Sequence, residues 1–135
     1  MTSASVALGV ELLAPVSVGE LIDKITILRI KADRIEDDVK HANVVRELQA
    51  LEDVRRRQGL EGFTALEDEL RQVNEVLWDV EDELRRLEAA QCFEAGFIEL
   101  ARRVYLTNDR RAALKKAINL QAGSVLVEEK SYAGA

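Results

Sequence analysis

The sequence contains few of the residues that interrupt helices or build common catalytic and metal sites. It has one proline, one cysteine and one histidine among 135 residues, and aromatic residues make up only 4%. This composition argues against a β-sandwich, which needs frequent turns and strands rich in aromatic or β-branched residues. The single cysteine excludes an intramolecular disulfide and a multi-cysteine zinc site.

Common catalytic motifs are absent as well. The chain has no glycine-rich phosphate loop, no Ser/His/Asp arrangement and no Cys/His pair. No Glu-x-x-His sequence accompanies His41, which excludes the dinuclear metal site of ferritin-like bundles. We interpret His41 as a surface residue near a helix start, and Cys92 as a buried or half-buried apolar residue.

The N-terminal segment lacks the features of a signal peptide or a membrane span. It has no basic region, and its apolar run over residues 6–16 is interrupted by Gly9, Glu11 and Pro15. The net charge of −6 argues against nucleic acid and anionic membranes as partners. We therefore expect a soluble, cytoplasmic protein that binds neither.

The most informative stretch runs from Ser17 to Ile35. Its apolar residues recur at steps of three and four, as on one face of an α-helix. Ile27 and Ile30 lie off that face, so we interpret this segment as the central helix of a bundle. Ser17 and Glu20 have the spacing of a capping box, in which each side chain binds a backbone N–H of the other residue.

Three more helical segments follow. The second is predicted to begin near Asp38 and to end at Gly59, and the third begins at a second capping box, Thr64 and Glu67. Seven apolar heptad positions then form a rod of roughly 36 Å. A rod of this length needs a long partner, which we expect to be either the first two helices end to end or the same helix of another subunit.

The fourth segment extends from about Glu94 to Ala122. A helix-start signal over residues 107–109 predicts that it is either kinked or split, and we favour the kink. Basic residues dominate 102–116, with a local charge of +5, whereas 66–88 has a local charge of −6. We expect the third and fourth helices to lie side by side and to complement each other's charge.

The sequence thus predicts an all-α fold, an antiparallel helical bundle of four or five helices with short extended terminal arms. Residues 1–135 are interpreted as one domain, with 1–5 and 133–135 loose. Alternating apolar residues predict an extended N-terminal arm that could pair with the segment near the C-terminus. The paired residues would be Val6, Leu8, Val10 and Leu12 on one side and Val125 and Val127 on the other. We expect a homodimer.

The strongest polar cluster lies on the fourth helix. Most of its members share one stripe opposite Leu114 and Ile118, so we expect them to project from the unburied side and bind phosphate or carboxylate. The alternative is a helix cap followed by a solvated, salt-bridged face. The anion-binding candidates are Asn108, Arg110, Arg111, Lys115 and Asn119.

Two acidic pairs and one aromatic residue are further candidates. Glu20 with Asp23, and Asp79 with Asp82, have helical spacing and could act as acid and base or hold Mg²⁺, as in helical nucleoside-triphosphate pyrophosphohydrolases. Solvated helix faces and the capping role of Glu20 are the alternatives. Trp78 could stack on a sugar or base, or pack under a neighbouring helix. No catalytic residue, metal or cofactor is assigned.

Five segments carry a resemblance to a known family: APVSVGELIDKITILRIK, ANVVREL, EVLWDVEDELR, FIELARRVYLTNDRRAALKKAIN and GSVLVEEKSY. Together they resemble a bacterial family of small helical proteins known only as a domain of unknown function, over residues 12–132. Relatives in that family occur beside, or fused to, glycosyltransferases and helical-repeat proteins of cell-surface polysaccharide synthesis. The resemblance implies a link to that process and supplies no catalytic residues.

Two functional hypotheses follow. The first is a non-enzymatic protein-interaction or assembly module. The alternative is a small enzyme or ligand-binding protein for a phosphorylated or carboxylated molecule, with Glu20 or Asp23 beside Arg111 and Lys115. That alternative requires the first and fourth helices to bring these groups into one pocket.

Overall fold

The computed structural model describes residues 9–132, which form four α-helices and no strand. The helices are α1 (Val18–Arg34), α2 (Asp38–Gln58), α3 (Thr64–Ala89) and α4 (Ala95–Ala122). α1 contacts all three other helices, and α3 and α4 form the most extensive pair. The predicted all-α bundle and the central position of its first helix are confirmed. The ends predicted to be loose, residues 1–5 and 133–135, lie outside the described residues.

The core forms where α1 crosses α3 and α4. The two-sided apolar pattern of α1 explains its central place, because one of its faces meets α2 while the other meets the α3–α4 pair. Burying side chains of this size stabilises the fold by about 1.5–3 kcal/mol each. The buried core residues are Leu21, Ile22, Ile25, Phe63, Leu70, Leu114 and Ile118.

The helix ends show which capping predictions hold. Ser17 Oγ accepts a hydrogen bond from the backbone N–H of Glu20 at 3.1 Å, but the Glu20 carboxylate binds a lysine, so only half of the first capping box forms. Gly59 ends α2 with a left-handed φ of 62°, as predicted. The second capping box is wrong: Phe63 is the N-cap and makes no side-chain cap bond, while Glu67 is buried between two arginines.

α4 is one continuous helix. Of the two alternatives that the helix-start signal at 107–109 predicted, the split is wrong, because Ala95–Ala122 is a single element that ends at Gly123. Val104 is half-buried before the signal, and Leu114 and Ile118 are buried after it. Packing on both sides of the signal therefore outweighs a capping preference of about 1 kcal/mol.

α4 is also the partner that the long third helix needs. At 1.5 Å per residue, the 26 residues of α3 and the 28 of α4 are each about 40 Å long, whereas the 17 residues of α1 span only about 26 Å. The first two helices end to end are therefore not the partner of α3, whereas the predicted side-by-side placement of α3 and α4 is confirmed. A partner helix from another subunit stays a prediction. Because α1 ends early, no residue between 81 and 113 is buried. Cys92, expected to be at least half-buried, is exposed in the connection at the tip of this hairpin.

The segments that flank the helices meet at the opposite end of the bundle. Pro15 and Val16 line a shallow groove together with Leu126 and Val127, and Ser17 Oγ donates to Glu128 Oε1 at 3.2 Å. The predicted strand ladder is wrong within residues 9–132, which contain no strand, because contact is made through side chains rather than paired backbones. Val6 and Leu8 lie outside the described residues.

Candidate functional site

A polar cluster lies at the interface between α1 and α4. Asp23 is fully buried, and Arg111 binds it with two parallel hydrogen bonds, Nε to Oδ1 at 2.9 Å and Nη2 to Oδ2 at 2.5 Å. Asn74 on α3 donates from Nδ2 to Asp23 Oδ1 at 2.9 Å and to Thr26 Oγ1 at 3.0 Å. The Thr26 hydroxyl donates to the Asp23 backbone carbonyl. The buried carboxylate therefore has a charged donor on each oxygen and a neutral amide donor on Oδ1.

Arg111 joins this buried group to the surface. Its hydrogen bond to Asp23 raises the pKa of the guanidinium above its ordinary value, although burial acts in the opposite direction. The third nitrogen, Nη1, makes only a 3.5 Å contact with Asn108 Oδ1. Arg111 therefore stays charged, and its two shortest hydrogen bonds go to Asp23.

Lys115 lies one turn further along α4 and is shared by two carboxylates. Its Nζ is 2.6 Å from Glu20 Oε2 and 3.4 Å from Glu128 Oε1. Burial lowers the pKa of Lys115, but the hydrogen bond and charge of Glu20 outweigh it and leave the pKa raised. The ammonium is therefore protonated and already neutralised within the chain.

Asn119 completes the contact at the start of α1. It is 2% exposed, and its Oδ1 accepts the backbone N–H of Gly19 at 2.6 Å. The first N–H groups of a helix have no partner within the helix, so this side chain supplies one from another helix. Asn119 thus has a structural role that accounts for its burial.

The structure therefore corrects the orientation of the predicted anion site. Arg111, Lys115 and Asn119 face α1 rather than solvent, because α1 offers carboxylates and an N–H group as partners. Asn108 is half-buried on the same stripe, and its side chain contacts Arg111. Arg110 lies apart, where it is exposed and pairs with Glu69 at 2.5 Å. Since α4 is continuous, residues 107–109 offer no unpaired helix N-terminus to an anion.

The acidic candidates are distributed over several surfaces. Glu20 and Asp23 bind Lys115 and Arg111, and Asp79 pairs with Arg34 at 2.6 Å. Within residues 9–132, no three His, Cys, Asp or Glu side chains form a group that could hold a metal ion. The lone histidine, His41, is half-buried with Nε2 3.0 Å from the Ala32 carbonyl oxygen.

Trp78 and Asp82 line a groove between α1 and α3, which we call the Trp78 groove. Its volume is about 290 Å³ and its floor is mainly apolar. The Arg34 guanidinium lies over the indole, 5.7 Å from the ring centroid. Trp78 is therefore half-buried beside α1 and also faces an open groove. The lining residues are Ile27, Ile30, Asn74, Leu77, Trp78, Glu81, Asp82 and Arg111.

The expected charge complementarity between α3 and α4 is largely absent. The two helices do lie side by side, but Arg110 with Glu69 is the one ion pair that joins them in the part of the chain described. The other basic residues of α4 that form ion pairs bind α1 or the C-terminal segment. Three acidic residues of α3, Glu67, Glu75 and Asp79, bind arginines of α1 or α2. Opposite net charges therefore predicted correctly that the two helices are neighbours, but not which residues form the ion pairs.

A second buried carboxylate joins the other side of the bundle. Glu67 on α3 accepts from Arg55 at 2.9 and 2.7 Å and from Arg29 at 2.9 Å. Burial raises the pKa of Glu67, but the hydrogen bond and charge of Arg55, followed by those of Arg29, outweigh it and lower the pKa below its ordinary value. Glu67 therefore holds three helices together in its charged form.

Replacing Glu67 with Gln should make stability depend on pH in a specific way. We expect a loss of about 1–3 kcal/mol at neutral pH, because hydrogen bonds to a charged acceptor are lost. A lowered folded-state pKa stabilises the fold above the unfolded pKa of about 4.3, and that stability disappears as pH falls through the folded pKa. Urea unfolding at pH 7 and at about pH 3 should therefore show that the difference in unfolding free energy between wild type and Glu67→Gln is smaller in acid. Glu83→Gln, at a solvent-accessible pair within α3, should change little. A stability difference between wild type and Glu67→Gln that is constant with pH would contradict the assignment.

Thr26, Asn74 and Gly19 were not predicted to belong to this cluster. One signal was available: Asp23 and Thr26 lie within an apolar helix whose neighbouring positions are Ile22 and Ile25. A carboxylate in such a position requires a basic or amide partner on another helix. The sequence does not show which arginine or asparagine supplies it.

Comparison with known proteins adds the family. A sequence model of the family described as "Family of unknown function (DUF6165)" matches residues 12–135. The chain belongs to this family. The match covers all four helices of the DUF6165 chain, the polar interface and the Trp78 groove. Comparisons with curated proteins and with solved structures found no match. Within residues 9–132, none of the helices combines the length and apolarity that a membrane crossing requires.

Proposed function

We propose that the chain is a non-enzymatic protein-interaction and assembly module. The observation that carries this proposal is the exposure of large apolar side chains on the two flanking segments. Leu12 is 88% exposed, Leu13 90% and Val125 97%, although each belongs to the segment that the family match covers. Apolar surface grouped in this way is typical of an interface that another protein covers.

The charged groups support the same proposal. A small-anion site needs cations that are available to the ligand, but Arg111 is held by Asp23, and Lys115 is shared by Glu20 and Glu128. α1 and α4 do bring these groups together, as the alternative hypothesis required. Their mutual pairing instead explains how the two helices are fixed.

We further propose that the module is a bacterial, cytoplasmic homodimer that docks a protein of cell-surface polysaccharide synthesis. The flanking segments meet at one end of the bundle, where two copies could cover each other's apolar side chains. The family resemblance supports the link to polysaccharide synthesis.

Site-specific photo-crosslinking tests the proposal. A photo-reactive amino acid at Leu13 should give a discrete adduct in cells, and one at Val39, which is 73% exposed on α2, should not. An adduct of twice the 15.1 kDa chain mass would identify the homodimer, and one of another mass would identify a partner. Neither substitution should affect folding, because both side chains are exposed. No adduct at Leu13, or equal adducts at both positions, would contradict the proposal.

A further inference from the structure

The Trp78 groove offers hydrogen-bond acceptors around an apolar floor. Ile27 and Leu77 are half-buried at its base, beside the indole. Asn74 Nδ2 points inward and donates to Asp23, whereas Asn74 Oδ1 accepts no hydrogen bond within the described residues. No polar side-chain atom that is fully buried lacks a partner in this part of the chain, so Oδ1 is accessible from the groove that Asn74 lines. The carboxylates of Glu81 and Asp82 lie at the edge.

The charges at the groove favour a cationic occupant. Two guanidinium groups lie at the groove and both are paired: Arg111, which lines it, with Asp23, and Arg34, which lies over the indole, with Asp79. Glu81 has a distant, exposed contact with Arg85 at 3.8 Å, and Asp82 forms no ion pair in the described part of the chain. The position of Arg34 over Trp78 shows that one face of the ring already accommodates a cation. The groove is therefore complementary to an apolar group that carries an ammonium or guanidinium beside it.

We propose that the Trp78 groove docks an amphipathic segment of a partner protein, with an apolar anchor in the groove and a neighbouring lysine or arginine on Glu81 and Asp82. This inference rests on the proposed interaction function and names a second surface for it, separate from the flanking segments. A volume of about 290 Å³ is at the lower limit for pockets that hold drug-sized ligands and suits a single anchor side chain. Apolar anchors in small pockets, surrounded by complementary charges, are the usual source of affinity in helix-in-groove recognition.

The single tryptophan makes the groove directly observable. Trp78 is the chain's only tryptophan, so its fluorescence reports on this groove without a label. The probe is a helical peptide of alternating leucine and lysine blocks, and its control is the same peptide with glutamate in place of lysine. We expect a saturable change in Trp78 emission with the leucine–lysine peptide and none with the glutamate version.

Matched charge variants separate the groove from general attraction to an acidic protein. Glu81→Gln with Asp82→Asn should weaken peptide binding by roughly tenfold. Asp68→Asn with Glu88→Gln removes the same charge from exposed positions of α3 and should weaken it by less than about twofold. Equal losses in the two variants, or no emission change with the lysine peptide, would overturn the inference. The crosslinking experiment at Leu13 tests the proposed function independently of the peptide experiment. Failure of the groove inference can therefore be distinguished from failure of the proposed function.

Discussion

Replacing Arg111 with Ala is expected to destabilise the fold by about 3 kcal/mol, which corresponds to roughly 10 °C in Tm. The reason is not the loss of a surface charge. Asp23 is fully buried, and removal of Arg111 leaves its carboxylate with Asn74 as its main donor in a low-dielectric environment. Urea unfolding monitored by helical circular dichroism measures the effect.

Arg110 provides a matched control on the same helix. It is also an arginine with a 2.5 Å carboxylate contact, but its side chain is 56% exposed and that of its partner Glu69 is 50% exposed. Exposed pairs of this kind contribute about 0–1 kcal/mol, so Arg110→Ala should be nearly neutral. Comparable losses of unfolding free energy in the two variants would show that the burial of Asp23 does not cause the effect of Arg111→Ala.

A double variant distinguishes an unpaired charge from lost packing. Asp23→Asn combined with Arg111→Met removes both charges and keeps most of the side-chain volume. Because no unpaired charge remains, the double variant should be more stable than Arg111→Ala. If the double variant were less stable than Arg111→Ala, the Asp23–Arg111 pair would contribute mainly through the direct attraction of its charges.

The sequence predicts the helices better than it predicts their polar contacts. Ser17 and Gly59 mark ends that depend on local backbone chemistry, and both were predicted from neighbouring residues. The centrality of α1 also follows from the sequence, because apolar residues on two sides must be covered from two directions. Local patterns of this kind contain enough information for the architecture.

The polar cluster depends on contacts that are distant in the sequence. Arg111 and Asp23 are 88 residues apart, and spacing on α4 alone cannot show that its polar stripe meets a buried carboxylate. The same limit explains Glu67, whose capping-box spacing is correct but whose carboxylate binds Arg29 and Arg55 instead. For Glu67, the buried ion pairs take the place of a local capping preference worth about 1 kcal/mol.

Gly19→Ala should be strongly destabilising, although glycine to alanine usually stabilises a helix by about 0.5–1 kcal/mol. A Cβ atom at Gly19 would lie 2.3 Å from the backbone oxygen of Lys115, and backbone cannot move aside as a flexible side chain can. α1 and α4 would have to separate, which would also stretch the bond from Gly19 N–H to Asn119 and the contacts of Asp23 with Arg111. We expect a loss of about 3 kcal/mol or more.

Gly96→Ala tests whether crowding, rather than the loss of glycine, causes this effect. Gly96 lies in the first turn of α4, and an added Cβ there would meet no atom within 4 Å. This variant should therefore be neutral or more stable by up to about 1 kcal/mol, as the helix propensities predict. If Gly19→Ala were equally well tolerated in urea unfolding, α1 and α4 would not approach as closely as the geometry requires. The polar cluster between them would then lose its role as the contact that fixes the two helices.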